Sequence, residues 1–265
     1  MKNRILVFVM LAAAVAGLVS CNSGQKQPAQ YAVTVETLTG TDVLPQLNVD
    51  KTVALWADEM MLATAHLVKG EEGLAIVRDD TVAMKGVVHV VYPLGAVPIE
   101  GVTTGRVVID TLQQALPLGE GMVYYGETTQ DAPDAVVLKA VGGVLRMNLT
   151  TPEKIAKVEI STSDSNRYMA GVFELSNYPF PVLAATEASV RSITIDGLEE
   201  IDFTEGADVF YCVAPGCYQT FKVVMTTTDG RTCTKNLKEG REVLVDRNHM
   251  HSIILGDPDS ILVFE

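Results

Sequence analysis

Short runs of strand-forming residues, separated at close intervals by turn signals, constrain the fold of this chain more than any other feature. The runs GRVVIDTL, AKVEISTS, SVRSITIDG, ADVFYCVAP and CYQTFKVVMTTT are rich in Val, Ile, Thr, Tyr and Phe. Turn signals fall between such runs, among them Gly142-Gly143, Asp196-Gly197, Pro215-Gly216 and Asp229-Gly230. This pattern predicts an all-β protein built from β-sandwiches.

The clearest hairpin is centred on Asp229-Gly230, which lies between two Thr-rich runs. The first run alternates, and the alternation predicts one apolar strand face made by Phe221, Val223 and Met225. A two-residue loop at Asp229-Gly230 would place Cys233 opposite Thr226.

One stretch is ambiguous. In LWADEMMLATAHLVKG, four apolar residues recur at helical spacing, Trp56, Met60, Ala63 and Leu67. The stretch is also rich in good helix formers, so residues 55–69 fit a short helix or a pair of strands.

A domain boundary is predicted near TTQDAPDA, residues 128–135, which is polar and contains Pro133. It separates two strand-rich halves. We therefore expect an N-terminal domain over residues 31–133 and a C-terminal domain over residues 134–265.

An apolar run from Ile5 to Leu18, preceded by Lys2 and Arg4, opens the sequence. It is shorter than the roughly 20 apolar residues that span a bilayer, and it fits a secretory signal peptide. Leu18-Val19-Ser20-Cys21 follows and resembles the lipobox of bacterial lipoproteins. The resemblance implies that residues 1–20 are removed and that Cys21 becomes the acylated first residue. An ordinary signal peptide with an incidental cysteine is the alternative.

Residues 21–30 are polar and lack apolar periodicity, which predicts a flexible linker. Two or more acyl chains hold a protein stably on a membrane. Asn22, not Asp, follows the cysteine, which favours the outer membrane over inner-membrane retention. We expect a lipid-anchored protein at the cell surface, although no acidic residue typical of surface export follows Cys21.

The charge excludes one class of partner. The chain has a formal net charge of −13, and loss of Lys2 and Arg4 with the signal would make it −15. Nucleic-acid binding needs clusters of Lys and Arg, so no nucleic-acid partner is expected.

The order of features resembles the fimbrillin-like lipoproteins of Gram-negative anaerobes of the Bacteroides type, which build type V pili (fimbriae). The resemblance is carried by VVHVVYPLGAVPIEG with Tyr92-Pro93, RVVIDTLQQALPLGEGMVYYGET, VVLKAVGGVLRMNLT, DVFYCVAPGCYQTFKVVMTTTDGRTCTKNL and REVLVDRNHMHSIIL. One departure lies after Trp56, where the Gly-Asp turn common in the family is absent.

The resemblance implies two tandem transthyretin-like (Greek-key) β-sandwich domains and a structural role in a surface filament. Its partners would be other fimbrial subunits, joined by β-strand exchange. In the family, a protease cuts after an Arg in the first domain and removes its first strand. Here the first Arg after Cys21 is Arg78, so such a cut cannot remove only an N-terminal strand. A chain that keeps its lipid and its first strand resembles an anchor or accessory subunit; processing by another protease is the alternative.

The sequence shows no catalytic motif: G-x-S-x-G, H-E-x-x-H, P-loop and G-x-G-x-x-G patterns are absent. We therefore expect no enzyme activity, no cofactor and no small-molecule ligand. His249 and His251 share one strand face and would suit a metal with Asp246 nearby, but further ligands cannot be named, so solvent-facing histidines and no metal site are expected.

Three cysteines follow Cys21, and the cell envelope permits disulfides. Cys212 and Cys217 flank a tight turn and form the candidate disulfide. Because three is an odd number, at least one thiol is free or pairs between chains. Three reduced thiols that act as small hydrophobic residues are favoured over this disulfide.

The sequence finishes with four large apolar residues, Ile261, Leu262, Val263 and Phe264, after the turn signal Gly256-Asp257-Pro258. Apolar terminal residues are expected to be buried. Two interpretations stay open: a last strand of the chain's own second domain, or a donor strand that fills a groove in a neighbouring subunit.

Two classes of function therefore remain. The first is a structural subunit of a fimbrium, held by lipid and joined by strand donation. The second is a surface lipoprotein that binds a glycan or host ligand through sandwich loops. A glycan site needs exposed aromatic residues, and aromatics are only 6% of the chain with a single tryptophan, Trp56, which favours the first class.

Overall fold

The computed structural model of the chain describes residues 30–41, 47–57, 60–78, 84, 86–97, 105–115, 118, 121–129, 131–177, 181–237, 242–255 and 262–265. The predicted signal peptide, residues 21–29 of the linker, Cys21 and Ile261 lie outside these residues. Strands dominate the described part, so the all-β prediction is confirmed.

Seven strands form a closed barrel in the order β1-β4-β3-β2-β5-β8-β9. They are β1 (Gln30–Val35), β2 (Thr52–Ala57), β3 (Met60–Gly70), β4 (Gly73–Val77), β5 (His89–Tyr92), β8 (Tyr124–Glu127) and β9 (Ala135–Ala140). Neighbouring strands are antiparallel except β1 and β9, whose parallel pairing closes the barrel.

The remaining strands form a second body of four small sheets, in the orders β15-β10-β20, β18-β17-β11-β14-β7, β13-β12-β6 and β16-β19. They are β6 (Arg106–Ile109), β7 (Leu112–Gln114), β10 (Gly143–Leu149), β11 (Ile155–Ser161), β12 (Ala170–Asn177), β13 (Pro181–Val190), β14 (Ser192–Asp196), β15 (Ala207–Val213), β16 (Gly216–Tyr218), β17 (Phe221–Thr227), β18 (Thr232–Leu237), β19 (Val243–Val245) and β20 (Met250–Leu255). A short 3-10 helix (Leu94–Ala96) follows β5.

Two apolar cores match this division. One fills the barrel and includes Tyr31, Leu55 and Tyr124. The other fills the second body and also takes in the outward-facing Ala54, Val91 and Tyr125 of the barrel wall. The second body therefore packs against the barrel through apolar side chains, and burial of that surface stabilises the junction.

The predicted alternation of β17 is confirmed: Phe221, Val223 and Met225 are buried, and Lys222 between them is exposed. The hairpin to β18 is also confirmed, but Cys233 lies opposite Met225, not Thr226. The loop is one residue longer than predicted, because Thr227 bonds to Arg231 and leaves Thr228, Asp229 and Gly230 as a three-residue loop. Gly230 has φ +89°, as the last position of such a loop requires.

The described residues of the ambiguous stretch are strand: residues 55–57 belong to β2 and residues 60–69 to β3, and the two strands pair with each other. The four residues with helical spacing are divided between two strands, with Trp56 on β2 and Met60, Ala63 and Leu67 on β3.

Strand pairing does not follow the predicted division at 133/134. That position lies in the connection between β8 and β9, which pair with each other inside the barrel. Conversely, β6 and β7 precede it but join the second body through β12 and β14. A polar stretch with proline looks the same whether it links two domains or closes a hairpin. The seven strands between residues 30 and 140 that form the first body close as one hydrogen-bonded barrel, whereas a two-sheet sandwich was expected.

Candidate assembly site: the first strand and the segment after residue 261

Strand β1 is hydrogen-bonded on both sides. It pairs antiparallel with β4 and parallel with β9, so its loss would open a groove between those two strands. Its side chains alternate: Tyr31 and Val33 are buried in the barrel core, and Ala32 and Thr34 are exposed. β1 is therefore a fully paired strand whose side chains alternate between the barrel core and solvent.

An ion pair ties the end of β1 to the second body. Both terminal nitrogens of the Arg247 guanidinium donate to the Glu36 carboxylate, at 2.5 and 2.8 Å. One of them also donates to the Ala140 carbonyl oxygen at 2.8 Å, at the end of β9. The two side chains are 18% and 24% exposed, so water screens this pair less than an open surface pair.

Backbone contacts extend this tie. The Thr39 N–H donates to the Asn248 carbonyl oxygen and the Met250 N–H donates to the Thr39 carbonyl oxygen, each at 2.9 Å. The Asn248 side chain donates to the carbonyl oxygen of Thr37 at 2.7 Å. We call residues 36–39 together with 247–250 the clasp. Gly40 directly follows the clasp and passes close to Met250. A β-carbon at residue 40 would lie only 2.7 Å from the Met250 carbonyl oxygen, so the close approach requires glycine.

Arg78, the first Arg after Cys21 in the sequence, directly follows β4 and is 1% exposed. A protease cannot reach a buried side chain without local unfolding. A cut there would also separate β1 to β4 together from the rest of the chain, as the sequence position of Arg78 predicts.

The segment of residues 262–265 lies against the second body. Leu262 and Phe264 pack against its core, and Val263 between them is 62% exposed. Glu265 exchanges two backbone hydrogen bonds with Thr232 of β18, at 2.8 and 3.0 Å. Of the four residues of the candidate donor strand, the structure therefore places three, and Ile261 lies outside the described residues.

All three described cysteines are free thiols, so the candidate Cys212–Cys217 disulfide is not formed. The two residues lie on strands that do not pair with each other: Cys212 is on β15 beside β10, and Cys217 is on β16 opposite Leu244 of β19. Their proximity in sequence suggested that they face each other across a hairpin, but β15 pairs with β10 and β16 pairs with β19.

The environments of these thiols differ. Burial raises the pKa of the Cys212 thiol to about 11. The Cys217 thiol is partly exposed and lies 3.4 Å from the Glu242 carboxylate. Partial desolvation, with the hydrogen bond to and the negative charge of Glu242, raises the pKa of Cys217.

The other predicted residues do not gather into a chemical site. The His249 imidazole contacts the Thr39 hydroxyl at 3.0 Å, as part of the clasp. Within the described ranges, no group of three or more His, Cys, Asp and Glu side chains could hold a metal ion. Trp56 stacks on His89 with ring centres 5.4 Å apart and packs against the core of the second body.

Sequence reasoning missed the clasp and one side-chain cap. Gln113 donates to the Cys212 carbonyl oxygen at 2.8 Å and accepts from the Cys212 N–H at 2.9 Å, so its amide replaces a missing strand beside β15. Glu36 and Arg247 are 211 residues apart, and Gln113 and Cys212 are 99 apart. No local pattern reports such a pairing.

Among the described residues, no helix combines the length and apolar character needed to cross a membrane.

No family model and no curated protein matches this chain. Solved structures give weak similarities. A candidate cell-adhesion protein of Bacteroides fragilis has 10% identity and a TM-score of 0.46, over 90% of this chain and 96% of that one. A fimbrial protein of Bacteroides ovatus has 11% identity and a TM-score of 0.38, over 87% of this chain and 49% of that one.

The tip fimbrial protein Mfa3 of Porphyromonas gingivalis, truncated at its C-terminus, has 11% identity and a TM-score of 0.37, over 89% of this chain and 98% of that one. At these values the similarities by themselves assign neither a partner nor an activity. These three structures, to which this chain is similar, are fimbrial and adhesin proteins of Bacteroides and Porphyromonas.

Proposed function

We propose that this chain is a structural subunit of a cell-surface fimbrium. It is held to the outer membrane by acyl chains on Cys21, keeps its first strand, and joins a neighbour by donating the apolar segment 261–264. It acts as an anchor or accessory subunit and performs no catalysis. The class is the one that the sequence motifs resemble, and it is also the class of the solved structures named above.

One observation carries the anchor assignment: β1 is built into the barrel and then tied by the clasp. Its release would break the ladders to β4 and β9, expose Tyr31 and Val33, and separate Glu36 from Arg247. A subunit that keeps this strand offers no groove in its barrel. It can therefore accept no donor there, and in strand-exchange assembly it must be the donor.

The lipid and the retained strand are compatible because nothing has to be cut between them. Residues 22–29 separate Cys21 from β1. An extended chain spans up to about 3.3–3.6 Å per residue, so this linker is long enough to hold the barrel away from the membrane surface. The anchored protein would then present its second body, with segment 262–265, to the next subunit.

The mature N-terminus tests this proposal. We expect mass spectrometry of protein purified from cell envelopes to find a triacylated or diacylated Cys21 followed by an intact sequence through Arg78. Cys21→Ala is the control and should leave the membrane fraction or stall before processing. A mature N-terminus between residues 36 and 79 would contradict the anchor role, because β1 would then be absent from the assembled protein.

Donation is tested separately. A variant lacking residues 257–265, shown by circular dichroism to be folded, should no longer capture a fimbrial subunit whose first strand has been removed. Val263→Ser, which alters an exposed position, should capture as well as wild type. Undiminished capture by the truncated variant would show that another part of the chain makes the joint.

A further inference from the structure

The outer edge of β18 and segment 262–265 fit each other as two antiparallel strands. The Thr232 N–H donates to the Glu265 carbonyl oxygen at 2.8 Å, and the Glu265 N–H donates back to the Thr232 carbonyl oxygen at 3.0 Å. Two such bonds between one pair of residues are the signature of an antiparallel ladder. β18 is an end strand of its five-stranded sheet, so its outer edge can pair with a further strand.

The side chains agree with that register along the whole segment. Counting back from Thr232 and Glu265 puts Phe264 opposite Cys233, Val263 opposite Thr234 and Leu262 opposite Lys235. Cys233 is buried and Phe264 packs beside the same core, whereas Thr234 and Val263 are both exposed. Because side chains alternate between the faces of a strand, this agreement supports one specific register.

The segment is held loosely in its own chain. Leu262 and Phe264 are only partly buried. Of the residue pairs described along this edge, Thr232 and Glu265 are the one joined by backbone hydrogen bonds. In the sequence, six residues including Gly256 and Pro258 separate the segment from β20. Its departure would therefore break two backbone hydrogen bonds and expose two partly buried side chains, Leu262 and Phe264.

We propose that the outer edge of β18 is a docking edge for residues 262–265 of a second copy of this chain, in exchange for its own. The outer edge of β18 can bind this segment, because residues 262–265 of the same chain already lie along it. Exchange replaces each contact by an identical one, so it costs little beyond association, and its extent rises with protein concentration. The inference requires neither the lipid nor a groove-bearing subunit, and it stands or falls independently of the proposed filament role.

The register is tested first within one chain. The residues of a hydrogen-bonded antiparallel pair have Cα atoms about 5.5 Å apart, within the range that a disulfide spans. T232C and E265C in the same chain, with Cys217→Ser to remove the exposed native thiol, should form an intramolecular disulfide under mild oxidation. T34C with E265C is the matched control, because Thr34 is an exposed strand residue of the barrel. Equal yields for the two would overturn the proposed register.

Exchange is tested by mixing two chains that carry T232C and E265C separately. We expect a covalent dimer whose yield increases with total concentration and exceeds that of a T34C plus E265C mixture by roughly tenfold. Phe264→Ser in the E265C chain should abolish the dimer, and Val263→Ser should not. A register confirmed within one chain but no dimer above the control would show that the edge is reserved for the chain's own segment. Equal loss with both serine variants would show that the contact is not the proposed one.

Discussion

The barrel and the second body deal with their strand edges in different ways. An unpaired edge is a liability, because its N–H and C=O groups attract other strands. The seven barrel strands close on one another, and β1 supplies the last two ladders. Within the described residues the barrel therefore presents no free edge, and whole strands cover its backbone groups.

In the second body, single residues, and not whole strands, form hydrogen bonds to the exposed edges of the sheets. The Gln113 amide covers β15 at Cys212, Thr39 covers the start of β20, and Glu265 covers the start of β18. On β13 the edge is blunted by a bulge, where the Thr186 and Ser189 hydroxyls both donate to the Val172 carbonyl oxygen at 2.7 Å.

This difference in edge protection predicts which strand edges can exchange their partner with another chain and which cannot. Opening the barrel requires the loss of a complete strand with two ladders and two buried side chains. Opening one edge of the second body requires the loss of one or two hydrogen bonds. We therefore expect assembly contacts to form on the second body, and the barrel to remain a closed unit.

The largest effect is expected from removing β1. A variant that begins at Glu36 should lose at least about 4 kcal/mol of unfolding free energy, since burial of each large apolar side chain contributes about 1.5–3 kcal/mol and ladder hydrogen bonds add to this. Urea unfolding followed by circular dichroism measures the loss. The variant without residues 257–265 is the comparison and should lose only about 1–3 kcal/mol, because Leu262 and Phe264 are partly buried. Equal losses would abolish the distinction between the two regions.

The cap on β15 should have the next largest effect. Gln113→Leu leaves the buried N–H and C=O of Cys212 without their partner, and each unpaired group costs about 1–3 kcal/mol. We expect a total loss of about 2–4 kcal/mol in urea unfolding. Gln114→Leu, at the adjacent exposed position, should change stability by about 0.5 kcal/mol. If the two variants are equally stable, the amide does not protect this edge.

The clasp should contribute less than the cap. A double-mutant cycle of Glu36→Gln and Arg247→Gln should give a coupling free energy of about 1–2 kcal/mol, between the values of exposed and fully buried ion pairs. The Arg106–Glu174 pair is the control, because it lies in the second body at 3.5 Å with side chains 40% and 58% exposed. Its coupling should stay below about 0.5 kcal/mol. Similar values for both pairs would mean that the clasp does not hold the two regions together.

The smallest effect concerns thiol reactivity. In the folded protein, Cys217 should react with a disulfide reagent before the buried Cys212 and Cys233 do. Because Glu242 raises the pKa of Cys217, less thiolate is present at a given pH. Glu242→Gln should therefore lower the pKa and speed the reaction by a few fold near pH 8, with the pH–rate profile shifted to lower pH. An unchanged profile would remove Glu242 as the cause, and early reaction of Cys212 would show that the β15 edge opens readily.

Part of the fold could be predicted from sequence because strand periodicity is local. The alternation of Phe221, Val223 and Met225 specifies which face of β17 is buried, and Asp229-Gly230 locates the hairpin. The exact register could not be predicted in this way. Thr228 is part of the loop, so Cys233 lies opposite Met225, one position away from the predicted partner. The candidate disulfide failed for a related reason: two nearby cysteines on consecutive strands need not belong to paired strands.

The sequence by itself determined an all-β chain, the buried face of β17, and an apolar segment at 261–264. Only the tertiary structure decided which edges meet. It placed β6 and β7 with the second body, closed the barrel through β1 and β9, and joined Glu36 to Arg247 across 211 residues. The physical reason is that residue type fixes the local preference for strand and turn. The choice of partner depends instead on the free energy of burying distant edges together.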